Sequence, residues 1–248
     1  MLRRSLIALL VSIAMAYSAH AIAADAKVAV AANFTDPAKE IAAKFHAATG
    51  DTVTLSFGSS GQFVTEIING APYDVLLSAD IDHAKKAETA GFTVPGSRFT
   101  YATGHLVLWS ANPALVDSQG KVLTSGKFNH IAIADAKLAP YGLAAQQFLM
   151  SVNLWNALQP KLVTGKSIGQ TYTFVQTGIA ELGFVALSQV IGGKDKGSSW
   201  KVPDNAHAPI TQQAVLLKKG ADNKAAKEFM EFLKQPDAAA VIAKYGYN

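Results

Sequence analysis

The chain has 248 residues, half of them hydrophobic, no cysteine and a formal net charge of +4. Without cysteine there is no disulfide framework, thiol nucleophile or cysteine metal site, so the fold must hold by core burial, and a chain of this length can bury one large core or two smaller ones. A charge this modest argues against nucleic acid as a partner.

At the start, Arg3 and Arg4 precede an apolar run from Leu6 to Met15 and two small-residue patterns, Ala19-His20-Ala21 and Ala21-Ile22-Ala23. That layout predicts a cleaved secretory signal peptide over residues 1–23. The run is only about half of the ~20 residues a membrane span needs, and no later stretch comes closer. A soluble, periplasmic mature protein is therefore expected. Cleavage removes both arginines and no acid, so its charge is lower by two.

Short apolar runs then alternate with segments of helical period, which reads as α/β with mainly parallel strands. A strand from Lys27 to Ala31 leads to a helix with Asp36 as its cap, Pro37 in its first turn and Gly50 just past its end. The strand Thr52 to Phe57 runs into Gly58-Ser59-Ser60-Gly61 and a helix ending near Asn69-Gly70. Val75 to Ser78 is followed by Asp80 as N-cap and a helix stopped by Gly91. Phe99 to Ser110 reads as extended chain crossing to a second α/β set. That set has strands at Ile131–Ala134, Leu162–Val163 and Gly183–Leu187, with helices after Pro140-Tyr141 and Ser167. Pro209 to Leu217 is again strand-like, and helices near Asn223–Lys234 and Asp237–Tyr245 close the chain. Two lobes joined by two crossovers account for this order.

In open α/β sheets ligands bind beyond the carboxyl ends of strands, where helix N-termini present unpaired amides and a partial positive charge. Four places combine a strand end with small or polar residues: Ala31-Ala32-Asn33-Phe34, Gly58-Ser59-Ser60-Gly61, Pro140-Tyr141-Gly142 and Lys166-Ser167-Ile168-Gly169. Converging on a cleft, they would supply the Asn33 amide, a Ser59 or Ser60 hydroxyl, the Tyr141 hydroxyl and main-chain donors, a set that suits an anion. Each also has a purely structural role open to it. Asn33 suits a tight turn, Ser60 and Ser167 are natural N-caps, and Tyr141 could be an ordinary buried aromatic.

Enzyme readings find less support. Gly165-Lys166-Ser167 imitates the end of a phosphate-binding loop, but Pro160 stands where that motif needs its first glycine. Gly58-Ser59-Ser60-Gly61-Gln62 lacks the second glycine of a nucleophile elbow. The histidines are scattered singly without metal spacing, and Asp74, Asp80 and Asp82 are explained by turns and caps, so no metal-ion ligands are expected.

From about Ala26 to Tyr247 the chain resembles the molybdate-binding proteins of bacterial molybdate ABC importers. The resemblance rests on Ser56-Phe57-Gly58-Ser59-Ser60-Gly61, Asn69-Gly70-Ala71-Pro72-Tyr73-Asp74-Val75, Leu77-Ser78-Ala79-Asp80, Pro95-Gly96-Ser97-Arg98-Phe99-Thr100-Tyr101-Ala102, Leu106-Val107-Leu108-Trp109-Ser110 and Pro140-Tyr141-Gly142-Leu143-Ala144. It implies a two-lobed, type II periplasmic-binding fold, with lobe I at residues 24–103 plus 208–248 and lobe II at 104–207. It also implies capture of molybdate, and of tungstate, without a counter-cation. Carried onto this chain, the family's ligand set is Asn33 with the backbone beside Ala32, Ser60 by hydroxyl and amide, Tyr141, and the amide of Ile168. Many members have serine at the Asn33 position, a small residue at the Tyr141 position, and their ligand tyrosine on the late strand where Ala186 stands here. The chain thus looks like the branch with asparagine first and tyrosine on the earlier loop, and Ala186 is not expected to be a ligand.

The expected function is delivery of the oxyanion to the membrane permease of an ABC importer, by a monomer without cofactor or catalysis. Within the binding class the alternative is a sulfate or phosphate binder. From another class, an exported hydrolase using Ser60 would need His and Asp partners beside that serine.

Overall fold

The computed structural model describes residues 24–194 and 196–248; the expected signal peptide lies outside them. In chain order the first sheet and its helices come from β1 (Asp25–Ala31), α1 (Thr35–Thr49), β2 (Thr52–Gly58), α2 (Ser60–Ile68), β3 (Val75–Ser78), α3 (Ile81–Thr89) and β4 (Phe99–Gly104). The second sheet follows with β5 (Leu106–Ser110), α4 (Val122–Ser125), β6 (Ile131–Ala134), α5 (Pro140–Ser151), α6 (Trp155–Leu158), β7 (Leu162–Gly165), α7 (Ile168–Gln176), β8 (Leu182–Ala186), α8 (Leu187–Gly192) and β9 (Ser198–Lys201). The chain then returns through β10 (Ile210–Leu216), α9 (Lys224–Phe232) and α10 (Pro236–Lys244). Strand orders are β2-β1-β3-β10-β4 and β7-β6-β8-β5-β9.

These are the two sheets and two crossings that the alternating pattern predicts, but the strands are not mainly parallel: each sheet is mixed, with two parallel and two antiparallel pairings. Strands β3, β5, β6 and β8 are buried along their whole length. Their sequences, VLLS, LVLWS, IAIA and LGFVA, are accordingly near-continuous apolar runs, as strands covered on both faces must be. The edge strand β2 instead mixes exposed and half-buried positions. The single extended run expected over Phe99–Ser110 is two strands in two different sheets, parted at His105. Strand β9 had no expected counterpart, because SSWK carries no apolar run.

Helix ends follow local chemistry closely. Gly50 closes α1 at φ 78°, a left-handed conformation that costs glycine nothing. Asp80, Ser167 and Asn223 cap α3, α7 and α9 through their side chains. Two expectations need correction. Asp36 is not a cap: a 3-10 turn over Ala32–Phe34 runs directly into α1, leaving Asp36 in the first helical turn, where its charge still favours the helix dipole. The cap of α2 is Ser59, whose Oγ accepts from the Gln62 amide, and not Ser60.

The outward crossing is tight. A Cβ on Gly104 would overlap the Tyr141 hydroxyl and stand 2.9 Å from the Gln212 Nε2. Glycine here is a requirement of close approach. Gly104→Ala is therefore expected to cost ~1–3 kcal/mol through forced repacking, read as a melting temperature lower by roughly 2–4 °C for each kcal/mol in a chain of this size.

Candidate functional site

Parallel pairing sets strand ends side by side. Ala31 lies opposite Gly58 in the first sheet and Ala134 opposite Gly165 in the second. The turn after β1 therefore neighbours the start of α2, and the loop before α5 neighbours the start of α7. These two pairs meet across the seam between the sheets. The Gly61 amide donates to the Leu138 carbonyl at 2.9 Å. Gly169 approaches so closely that a Cβ on it would stand 3.2 Å from the Ala32 methyl. Ala31, Ala32 and Ala79 share one buried cluster with Ala139, Tyr141 and Ile168. All five expected site residues, Ala32, Asn33, Ser60, Tyr141 and Ile168, are buried at this seam.

Ser60 has the clearest geometry. Its Oγ accepts from the Ala79 amide at 2.9 Å, which occupies a lone pair and leaves the hydroxyl proton to donate elsewhere. Ser60, Tyr141 and Ile168 all fall in the first turn of a helix, where no preceding turn accepts from their amides. Among the described residues none of these three amides donates to a turn, loop or cap acceptor. The seam thus gathers amides backed by three helix dipoles.

Asn33 is held differently from expectation. Its Nδ2 donates to Gln212 Oε1 at 2.8 Å and to the Tyr247 hydroxyl at 3.0 Å, which uses both of its protons, while its Oδ1 is buried without a partner. Its carbonyl accepts from Ser188 Oγ, which lies beyond the seam, at 2.7 Å. The Tyr247 hydroxyl lies 2.9 Å from both that carbonyl and Ser188 Oγ. Tyr101 OH adds a bond to Gln212 Oε1 at 3.0 Å. The Tyr141 hydroxyl turns toward Gly104, Gln212 and Tyr247. Gln212, Tyr247, Tyr101 and Ser188 were not singled out from sequence. Gln212 left a trace there, as an amide inside the otherwise apolar run Pro209 to Leu217; Tyr247 and Ser188 left none.

Burial holds the Tyr101 and Tyr141 hydroxyls well above the ordinary tyrosine value of 10.0, and burial raises Tyr247 too. All three are neutral donors under any physiological condition. Ala186, on β8, is buried, and its amide is taken by Gln189 Oε1. His83 pairs with Asp80 at 2.7 Å, and its Nε2 would lie 2.9 Å from a Cβ on Gly61. A His–Asp pair therefore stands near Ser60. No described bond links it to Ser60 Oγ, so the proton relay of a serine hydrolase is not assembled.

A family model for bacterial extracellular solute-binding proteins matches residues 26–248. The chain belongs to that family. It is 56% identical over 236 residues to the molybdate-binding protein ModA of Rhodobacter capsulatus, covering 95% of this chain and 93% of that one. With ModA of Azotobacter vinelandii it is 54% identical over 228 residues, covering 91% and 90%. The solved structure of the Azotobacter vinelandii periplasmic molybdate-binding protein superposes with a TM-score of 0.87 at 46% identity, over 90% of this chain and 98% of that one. The fold is that of two-lobed periplasmic binding proteins, and the chain is a binding protein, not an enzyme. No helix among the described residues is long and apolar enough to cross a membrane.

The buried tyrosines fix a sign. The folded state keeps protons on Tyr101, Tyr141 and Tyr247 that the unfolded chain releases near pH 10, so their contribution is complete below that pH and is lost as pH rises above it. Tyrosinate absorbance in an alkaline titration should show these three ionising together with unfolding. Free ionisation of all the tyrosines near pH 10 with the fold intact would contradict the buried cluster.

Proposed function

We infer that the protein captures molybdate between its lobes and delivers it to the membrane permease of an ABC importer, with tungstate accepted by the same site. The observation that carries this reading is the convergence of neutral donors from both sides of one seam: the buried Ser60 hydroxyl and the first-turn amides of α2, α5 and α7. The near full-length similarity to molybdate-binding proteins supplies the anion. In this reading Ser60 binds by hydroxyl and amide, Tyr141 and Ile168 by their amides, and the Ala32-Asn33 turn closes the fourth side. The lobes, 24–103 with 208–248 and 104–207, close on the anion about the two crossings. The mature chain, cut near Ala23, works in the periplasm as a monomer without cofactor.

The donor set also favours molybdate within its class. Phosphate keeps a proton near neutral pH and calls for a carboxylate acceptor, and none of the four segments has one at its centre. Sulfate is smaller, so a ring of donors set for molybdate leaves some unpaired in a dry site, at ~1–3 kcal/mol each. Molybdate and tungstate are too alike for such a filter.

A thermal-shift panel of the mature protein tests this. Molybdate or tungstate at about 100 times its dissociation constant should add ~2.7 kcal/mol of stability; sulfate and phosphate at the same concentration should add far less. A shift with sulfate and none with molybdate would overturn the assignment. Ser60→Ala should weaken molybdate by about tenfold or more in titration calorimetry, as loss of one bond to a charged ligand requires.

A further inference from the structure

Helix α8 follows β8 in the second sheet, yet its side chains lie against the first side of the seam. In its first turn the Ser188 hydroxyl donates to the Asn33 carbonyl at 2.7 Å, and its oxygen stands 2.9 Å from the Tyr247 hydroxyl. Tyr247 is equally close to that carbonyl, so its one proton lies within reach of both oxygens. Further along, a Cβ on Gly246 would stand 2.7 Å from Ile191 Cδ1 and 2.9 Å from Leu187 Cδ2. At the far end a Cβ on Gly192 would stand 2.6 Å from Asp36 Oδ2 of α1. Glycine on both partners lets the helix seat this closely. The residue after Ser188 ties the same helix to the anion-binding segments. Gln189 Oε1 accepts from the Ala186 amide at 3.0 Å, and its Nε2 donates to the Ile168 carbonyl at 3.2 Å. An N–H at one end and a carbonyl at the other fix which way that carboxamide points.

We propose that Ser188 is a positioning residue that latches the closed cleft: it does not touch the anion, and its bond to the Asn33 carbonyl sets how long the anion stays. The bond joins the two sides directly, from α8 of the second to the turn after β1 in the first. Gln189 carries its hold to α7, whose first turn holds the Ile168 amide. Tyr247 gives the latch a fixed seat, because Asn248 exchanges two backbone bonds with Thr103 at the outward crossing. When the sides part, the Ser188 hydroxyl and the Asn33 carbonyl exchange each other for water, so the latch is worth one ordinary hydrogen bond. That worth falls on release. The anion enters an open cleft, where the bond is not yet made, and leaves only after it breaks.

The inference rests on the anion-capture reading above, and the comparison of wild type with Ser188→Ala separates the two. Mature protein loaded with radiolabelled molybdate is chased with excess unlabelled molybdate to give the release rate, and titration calorimetry gives the affinity. Release from Ser188→Ala is expected to be about three- to tenfold faster, with affinity weaker by the same factor and the association rate unchanged. The melting temperature supplies a readout that distinguishes a latch from a serine that merely supports the fold. Without anion the variant should melt where the wild type does, because the open form keeps this hydroxyl in water; with saturating molybdate it should melt lower. An unchanged release rate, or an anion-free melting temperature that falls as far as the loaded one, would overturn the latch while leaving the function standing. A wild type that captures no molybdate would overturn the function and the latch with it.

Discussion

A doubly charged oxyanion taken out of water must find its compensation somewhere, and among the described residues no cationic side chain is bonded to the atoms of the proposed site. In the proposed site compensation falls to helix N-termini, which supply first-turn amides and dipoles of the right sign. Everything else in the structure serves to bring those ends together. Parallel register places Ala31 beside Gly58 and Ala134 beside Gly165, and the bond from the Gly61 amide to the Leu138 carbonyl ties one pair to the other. Small residues make the approach possible. Bulk at Gly61, Gly104 or Gly169 would hold the two sides apart.

The crossing between the sheets is polar where a core is usually apolar. Gln212 is wholly buried and Asn33, Ser188 and Tyr247 nearly so, and the bonds of Ser188 to the Asn33 carbonyl and the Tyr247 hydroxyl run from one side of the seam to the other. Ser188 follows β8 in the second sheet, while the Asn33 carbonyl it bonds belongs to the turn after β1 in the first. Such a bond exists only while the two sides are together. The C-terminal residues brace the same point: Asn248 exchanges two backbone bonds with Thr103, at 2.7 and 3.1 Å, and so fixes Tyr247 against the hinge. A buried polar network of this kind rigidifies the point where the two sides meet.

Much of this was legible in the sequence wherever the cause was local. Asp80, Ser167, Asn223 and Gly50 mark helix ends because their own backbone neighbours reward those residue types. Fully buried strands announced themselves as apolar runs. The strand-end rule, applied to small and polar residues, selected the four segments that do converge. Local reasoning misled at Ser60, because two adjacent serines offer the same cap and only the distant Ala79 amide decides which one turns inward. It missed β9, whose burial is slight. It was blind to Ser188 and Tyr247, since their partner Asn33 stands 155 and 214 residues away. Tyr141 was found, but its hydroxyl answers to Gly104 and Gln212, a contact no spacing encodes.

The central claim is that charge is held by neutral donors alone. A crystal structure of the mature protein with molybdate tests it most directly. The account predicts molybdate oxygens at ~2.7–3.2 Å from the Ser60 hydroxyl and from the amides of Ser60, Tyr141 and Ile168, with Asn33 completing the shell. A lysine, arginine or histidine side chain, or a bound cation, in direct contact with those oxygens would contradict it.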